Sequence, residues 1–391
     1  MAHTVLHLRS EQKPLEHRSC LTPSTAKALI AEGYEVQVEH SPKDPSRKRI
    51  FEDSEFETVG AKLVDDGSWP TVPKSTLIIG LKELPEEPAF PLVHEHVQFA
   101  HCYKNQGGWQ EVLARFPRGG GTLYDLEFLE VNKRRVAAFG FHAGFAGSAI
   151  AAKTWVWQLE HGDKPLPGMD TFTNGRGYYE NEDQMLEQLR GDIAKGEKIA
   201  GRMPRVLVIG ALGRCGRGAV DLFKKLGVPD ENILKWDLPE TSAKSGPYQE
   251  IVESDIFVNC IYLSEKIPPF INHEALDSPS RKLTVVCDVS CDTTNPNNPI
   301  PIYDINTIFT DPTVPVKLSS GPKLSVISID HLPSLLPRES SEAFSNDLLP
   351  YLKQLKDRKT ADVWRQAEQL FQSKVALLPA EMRQLEVQNG V

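Results

Sequence analysis

Residues 205–216, RVLVIGALGRCG, constrain this chain more than any other stretch. An apolar run breaks there into Gly210, Gly213 and Gly216 and then into a helical pattern. A turn that cradles pyrophosphate needs backbone N–H groups aimed at the ligand, no Cβ in the way, and a helix N-terminus that favours negative charge. Glycines between a strand and a helix meet those needs. Their spacing departs from the commonest Gly-x-Gly-x-x-Gly, so the context carries the reading. The next apolar run, ILKWD, closes on Asp237, about 20 residues further on, where a dinucleotide fold places a carboxylate for the adenosine ribose. The pattern predicts a Rossmann-type unit that binds NAD. Asp237 favours NAD over NADP because a carboxylate accepts from a free 2′-hydroxyl and repels a phosphate. A competing reading makes Asp237 a helix-capping acid before Pro239, and Lys244 lies close enough in sequence to receive a phosphate.

At 391 residues the chain is long for one core and comfortable for two domains. A formal charge of −9 disfavours general binding to nucleic acid or anionic membrane, so the expected partners are small molecules. The cysteines, Cys20, Cys102, Cys215, Cys260, Cys287 and Cys291, are scattered without zinc-site spacing, which suits a reducing compartment. The opening MAHTVLHLRSEQKPLE reaches charge by Arg9 and lacks the apolar core of a signal peptide. The longest apolar stretch, residues 136–152, is broken by His142 and by glycines and fails as a membrane span. The final NGV is not a peroxisomal tripeptide. A cytoplasmic monomer is expected.

Through the first 140 residues short apolar runs (TVLHL, EVQVEH, STLIIGL, GTLYDLEFL) alternate with helical patterns, which reads as α/β. Thr22-Pro23 supplies a helix cap and first turn, and Gly33 stops that helix. Residues 144–161 form a long helix, rich in small residues at its start, read as the bridge between domains. A charged helix over about 181–195 precedes a second βαβ series of RVLVIG, a helix over 215–226, ILKWD, DIFVNCIYL and KLTVVCDVS. Two further helical patterns, about 340–355 and 361–378, are expected to return to the first domain.

Three features of the first domain look chemical. Arg18 precedes LTPSTAKALI in a loop, Lys82 ends the strand STLIIGLK, and VHEHVQFAHCYKNQ carries His94, His96, His101, Lys104 and Gln106. A charge directly after an apolar strand sits where α/β sheets place ligands. A dehydrogenase acting on an amine or alcohol needs a base, and Lys and His both serve when their surroundings bring the pKa near neutral. Lys82 alone reads equally well as a solvated strand end, and each histidine taken singly favours a structural role. His94 and His96 share one face of an extended segment. With His101 and Cys102 nearby they raise the question of metal, but no Cys pair or carboxylate completes a ligand set, so none is expected.

At GLKELP, HEHVQFAHCYKNQGGW, LYDLEFLE, RRVAAFGF, GALGRCGRGA, LKWD, NCIYLS, DVSCDTTNP and LSVISIDHLPSLLPRE the chain closely resembles the saccharopine dehydrogenases, the NAD-dependent, L-lysine-forming enzymes of fungal lysine biosynthesis. The likeness runs to about residue 375. A weaker similarity to alanine dehydrogenase and to the NAD-binding part of transhydrogenase rests on Arg18 before LTP, Lys82 and His101. The resemblance implies an α/β fold of two Rossmann-like domains, with parallel sheets flanked by helices and the active site in the cleft between them. Residues 1–138 and 333–391 would bind substrate and 139–332 would bind NAD. The implied reaction takes saccharopine, NAD and water to lysine, 2-oxoglutarate and NADH, run physiologically as the last step toward lysine. Lys82 would be the general base and His101 the acid–base group for the imine and carbinolamine steps, with Glu83 and Glu127 tuning their proton affinities.

By the same resemblance Arg18, Gln106, Arg135, Phe139, Ser290, Cys291 and Asp292 would contact substrate. Guanidinium forks answer its carboxylates. Arg134, Gly213, Arg214, Asp237, Thr241, Tyr262 and Val289, with Ile329, Asp330, His331 and Leu332, would surround NAD beside the turn glycines Gly210 and Gly216. The loop between Glu127 and Arg134 is shorter and differently composed than the family pattern, which leaves residues 130–133 without an assignment, and Cys291 stands where a small apolar residue is expected. Cys215 and Cys260 match a family pair able to join, which would make the cofactor turn redox-sensitive. Alternatives are an amino-acid dehydrogenase of alanine type and an NAD-binding sensor without catalysis.

Overall fold

The structure is a computed structural model and describes residues 4–162, 164–291, 293 and 295–384. The chain divides into two compact units, residues 1–138 with 340–391, and residues 139–339.

The first unit is built on strands β1 (Thr4–Leu8), β2 (Tyr34–Glu39), β3 (Lys62–Val64), β4 (Leu77–Ile79), β5 (Glu95–Gln98) and β6 (Thr122–Asp125). They form one sheet in the order β3-β2-β1-β4-β5-β6, parallel throughout. Parallel strands are covered on both faces, and the buried run Leu77-Ile78-Ile79 reflects that. Helix α1 (Pro23–Ala31) starts as its sequence dictates: Thr22 caps it in a box with Thr25, and Pro23 takes the first turn. Helices α2 (Asp53–Thr58) and α3 (Trp109–Gly119) complete the N-terminal part. α2, β3 and α3 were not foreseen: α2 and β3 are short, and α3 carries Pro117 in its last turn, which masks the helical pattern.

The C-terminal helices Pro337–Leu352 and Asp362–Val375 cover this sheet. The fully buried Trp364 ring meets Tyr124 of β6 edge-on at 5.4 Å, Tyr34 donates its hydroxyl to the Leu352 carbonyl at 2.8 Å, and Arg358 pairs with Glu95. The division falls after Glu339, so residues 333–339, expected with the first unit, lie with the second. Leu335 and Leu336 are fully buried in the second unit's core, which holds that segment there.

In the second unit α4 (Gly140–His161) precedes α5 (Glu182–Ala200), β9 (Val206–Ile209), α6 (Arg214–Lys225), β10 (Ile233–Trp236), the short α7 (Leu238–Ser242), β11 (Ile256–Asn259), β12 (Val285–Asp288), β13 (Val314–Val316) and β14 (Leu324–Ile327). The first unit also carries a two-stranded antiparallel pair, β7 (Glu130–Val131) and β8 (Arg134–Arg135). The second sheet runs β10-β9-β11-β12-β14-β13, parallel except for the edge strand β13. α4 begins four residues before the expected position. It does not link domains but lies wholly within the second unit as its central helix, buried from Gly144 through Val156. Its glycines allow this: a Cβ on Gly144 would sit 1.9 Å from the Cys215 carbonyl oxygen, and one on Gly218 of α6 would sit 1.9 Å from the Phe141 carbonyl oxygen. Apolar side chains pack both faces of the sheet, Val206, Val208 and Val258 toward α4 and Leu207, Ile209 and Phe257 away from it. Each such burial contributes about 1.5–3 kcal/mol. Among the described residues no helix is long and apolar enough to cross a membrane.

Both sheets reverse their strand order once, between β1 and β4 in the first and between β9 and β11 in the second. Open α/β sheets place ligands outside the carboxyl ends of strands at such a point.

Candidate active site

In the first unit the chemistry gathers at those carboxyl ends. Lys82 and Glu83 follow β4, His101 follows β5, Glu127 follows β6, and the loop after β1 brings Lys13, Glu16 and Arg18. His101 is half-exposed, stacked on Phe99 with centroids 6.3 Å apart, and stands between two acids: Nε2 lies 3.6 Å from Glu83 and Nδ1 3.8 Å from Glu127. Its backbone is left-handed, φ 51°, a conformation that disfavours a residue with a Cβ and recurs at functional sites. Burial, then the Lys82 charge, lower the proton affinity of His101 against the pull of Glu83 and Glu127, which favours the neutral imidazole. Lys82 is likewise shifted down, by burial first and then by Arg18, while Glu83 and Glu16 oppose. Lys82 therefore moves toward the range where a side chain accepts a proton near neutral pH.

The acids are themselves held. Glu127 accepts from Lys104 at 2.7 Å and Arg135 at 2.9 Å, and Glu83 from Lys13 at 3.0 Å. Burial raises the Glu127 carboxyl, but the Lys104 hydrogen bond and the charges of Lys104, Arg135 and His101 together outweigh it, and for Glu83 the Lys82 charge, a backbone hydrogen bond and Lys13 together do the same. Glu16 was missed in the sequence because a charged loop reads as solvent-exposed, and Lys13, which is exposed, because its partner Glu83 lies 70 residues away. A buried Glu16 grips Arg18 through both carboxylate oxygens, at 2.8 and 2.7 Å. Asp125 was missed as well. It closes β6, accepts from the Glu127 and Ala100 N–H groups, and is pushed up to about 7 by burial.

Residues 130–133, unassigned from sequence, form a tight hairpin. Asn132 and Lys133 have φ of 52° and 61° between β7 and β8, as a two-residue turn of the primed type requires. Asn132 was the available signal. Arg134 and Arg135 are exposed neighbours on β8 and project to opposite faces, with Arg135 turned to Glu127. Gln106 accepts from the Lys104 N–H. His94 and His96 take no part: both are buried against Trp69, and His94 Nε2 faces the Val72 carbonyl at 2.9 Å.

The second unit places the turn glycines as the motif requires. Gly210 has φ 85°, which favours glycine, and a Cβ on Gly216 would lie 2.1 Å from the Gly210 carbonyl oxygen. Gly213 caps α6, and Arg214 opens it. The first-turn N–H groups of a helix lack intrahelical acceptors, so this end suits a pyrophosphate. Asp237 closes β10. Its carboxylate accepts from the N–H groups of Leu212, within the turn, at 3.0 Å and of Leu238 at 2.9 Å, and it caps α7 in a box with Glu240. It thus does what the capping alternative predicted, while each oxygen keeps a lone pair for a ribose hydroxyl. Thr241 bonds back to the Asp237 carbonyl at 3.0 Å. Lys244 is engaged by Glu250 and lies 5.2 Å over the Trp236 ring. The exposed cradle, its missing β-carbons and the flanking carboxylate fit NAD.

Other residues of interest lie along the same edge or in the core. Tyr262 follows β11 and is exposed, and Val289, Ser290 and Cys291 follow β12 half-buried. Asp288, at the end of β12, accepts from Asn259 at 2.9 Å and Tyr303 at 2.7 Å and is pushed up to about 6 by burial. Phe139 caps α4. Ile329 and Leu332 are buried in the core, so only their backbone can face a ligand, whereas Asp330 and His331 pair at 2.6 Å. Asp292 lies outside the described residues. Cys215 and Cys260 are free thiols in contact, and that contact, then burial, pushes the Cys260 thiol up.

Residues 7–146 match the family model of the alanine dehydrogenase/PNT N-terminal domain and residues 239–378 that of its C-terminal domain. An L-alanine dehydrogenase structure superposes with a TM-score of 0.64 at 16% identity, covering 95% of this chain and all of that one, which shows the shared fold. The chain is 60% identical to the saccharopine dehydrogenase [NAD(+), L-lysine-forming] of Yarrowia lipolytica, over 95% of this chain and 97% of that one. It is 61% identical to the Neurospora crassa protein of the same name, over 97% and 98%. Likeness of that degree, carried end to end through both halves of the fold, makes this chain a member of the NAD-dependent, L-lysine-forming saccharopine dehydrogenase family.

Proposed function

We propose that the chain catalyses the reversible, NAD-dependent conversion of L-saccharopine and water into L-lysine and 2-oxoglutarate, the last step of the α-aminoadipate route to lysine. The observation that carries this reading is the Lys82–His101 pair at the ends of adjacent strands, flanked by Glu83 and Glu127, with both proton affinities shifted down. Gly210, Gly213, Arg214, Gly216, Asp237, Thr241, Tyr262 and Val289 hold NAD, with Arg134, Asp330 and His331 and the backbone of Ile329 and Leu332. When bound, NAD accepts the hydride. Lys82 takes the proton of the secondary amine. His101, held between Glu83 and Glu127, removes a proton from the water that adds to the imine carbon, and returns it to the departing lysine nitrogen. Arg18, Gln106 and Arg135 answer the substrate carboxylates, with Phe139, Ser290, Cys291 and Asp292 completing the contacts. The Glu16 fork orients the Arg18 guanidinium for that task.

The chain acts as a cytoplasmic monomer on small molecules, and a charge of −9 gives polyanions and anionic membranes little to bind. NADH oxidation on mixing lysine with 2-oxoglutarate tests the reading, with lysine withheld as control. Faster turnover of pyruvate with ammonia would replace it with an alanine-type activity, and no turnover of either pair would leave an NAD-binding sensor.

His101→Gln lowers kcat by about 10²- to 10⁴-fold with NADH affinity unchanged in a fluorescence titration, and a wild-type rate would remove the histidine from the mechanism. Asp237→Ala raises the KM for NAD about 10- to 100-fold and narrows the preference over NADP, read from paired steady-state assays. An unchanged ratio would return Asp237 to a capping role alone.

A further inference from the structure

The peptide of Lys82 is gripped at both ends. Glu11 accepts the Lys82 N–H at 3.0 Å through one carboxylate oxygen and the Leu81 N–H at 2.7 Å through the other. Arg9 donates through Nη2 to the Lys82 carbonyl and to Gln98 at 3.3 Å, and through Nη1 to Glu11 at 3.4 Å. Arg9 is 1% exposed and Glu11 7%. Gly80 makes the arrangement possible, since a Cβ there would lie 2.4 Å from Arg9 Nε. A buried ion pair is often no more stabilising than apolar side chains of the same volume. What apolar side chains could not do is hold one residue by its backbone N–H and its backbone C=O together, fixing the peptide groups on both sides of its Cα. Arg9 and Glu11 leave β1 and Lys82 leaves β4, so the grip joins the two strands on either side of the first sheet's reversal point.

We propose that Arg9 and Glu11 are positioning residues for Lys82, a clamp on its backbone that fixes the direction in which its side chain leaves the strand. The proposal rests on the role of Lys82 in proton transfer given above. A base displaced by about 1 Å costs on the order of 10²-fold in rate, and a clamp on the peptide is the shortest route to that precision.

The test compares Glu11→Gln, Arg9→Lys and Gly80→Ala in the full-length protein, with kcat expressed per NADH-binding site so that misfolded molecules drop out. Glu11→Gln keeps the shape and one acceptor but turns an N–H toward a backbone N–H, and Arg9→Lys keeps the charge but loses the fork. Each is expected to lower kcat about 10- to 100-fold, to leave the Kd for NADH unchanged, and to move the acid limb of the kcat/KM–pH profile that reports Lys82. Lost stability alone would change the number of active sites and leave that limb in place. Wild-type kcat and an unmoved limb in Glu11→Gln and Arg9→Lys would overturn the clamp. Should Lys82→Met also retain activity, the reading of Lys82 falls instead, so the two failures are distinguishable.

Discussion

Lys82→Met is expected to lower turnover in both directions by about 10²- to 10⁴-fold while NADH binds as tightly as before. Methionine fills the volume of the lysine stem and removes only the amine, so the loss measures proton transfer. Because burial and Arg18 depress the proton affinity of Lys82, the neutral amine appears at a lower pH than for a free lysine. Saccharopine oxidation should therefore rise with pH up to that depressed value and then level, and the rise should vanish in Lys82→Met. Arg18→Met removes a depressing charge and should carry the limb to higher pH. Stopped-flow and steady-state rates across pH decide this, and a Lys82→Met protein with an intact limb would assign the base elsewhere.

Gly218→Ala is expected to unfold the second unit more readily than any exposed substitution. Alanine in place of glycine within a helix ordinarily stabilises by about 1 kcal/mol. Here the new methyl group would fall 1.9 Å from the Phe141 carbonyl oxygen, and that neighbour is backbone with nowhere to go. Separation of α4 from α6 opens the core around Phe145 and Ala219. The net loss is about 3 kcal/mol, or a fall of about 10 °C in melting temperature for a unit of this size. Gly144→Ala meets the Cys215 carbonyl at the same distance and should behave alike. A melting temperature at or above wild type would mean the two helices part without cost.

Most of the α/β alternation was legible, because β1, β2, β9 and β11 are apolar runs set off by turn residues, and the glycine turn with Asp237 was legible because backbone approach leaves few choices of residue. Lys82 stood out as a charge closing an apolar strand and His101 as one of three histidines in a short segment, but their roles could be told from structural ones only with the family strings beside them. The missed features share a cause: their meaning depends on neighbours distant in sequence. Glu16 looks solvated and Lys13 unpaired until β1 is laid beside β4, and Asp125 looks like a loop acid until burial and the Ala100 and Glu127 N–H groups surround it. Ile329 and Leu332 fall within a cofactor-like string, yet their side chains serve the core. α3 was hidden by Pro117 and the glycines after it, and β13 was hidden by Pro315.

The interrupted first unit sets an order for biosynthesis. A ribosome delivers all six strands of its sheet within the first 125 residues, but Trp364 and the helix that carries it emerge after about 200 intervening residues, the whole second unit, have been made. Domains generally fold as units as they leave the ribosome. In the interval Tyr124 and its neighbours present an uncovered apolar face, so a nascent chain stalled near residue 339 should recruit chaperones and be cleaved by proteases in its N-terminal third while its later part already resists them.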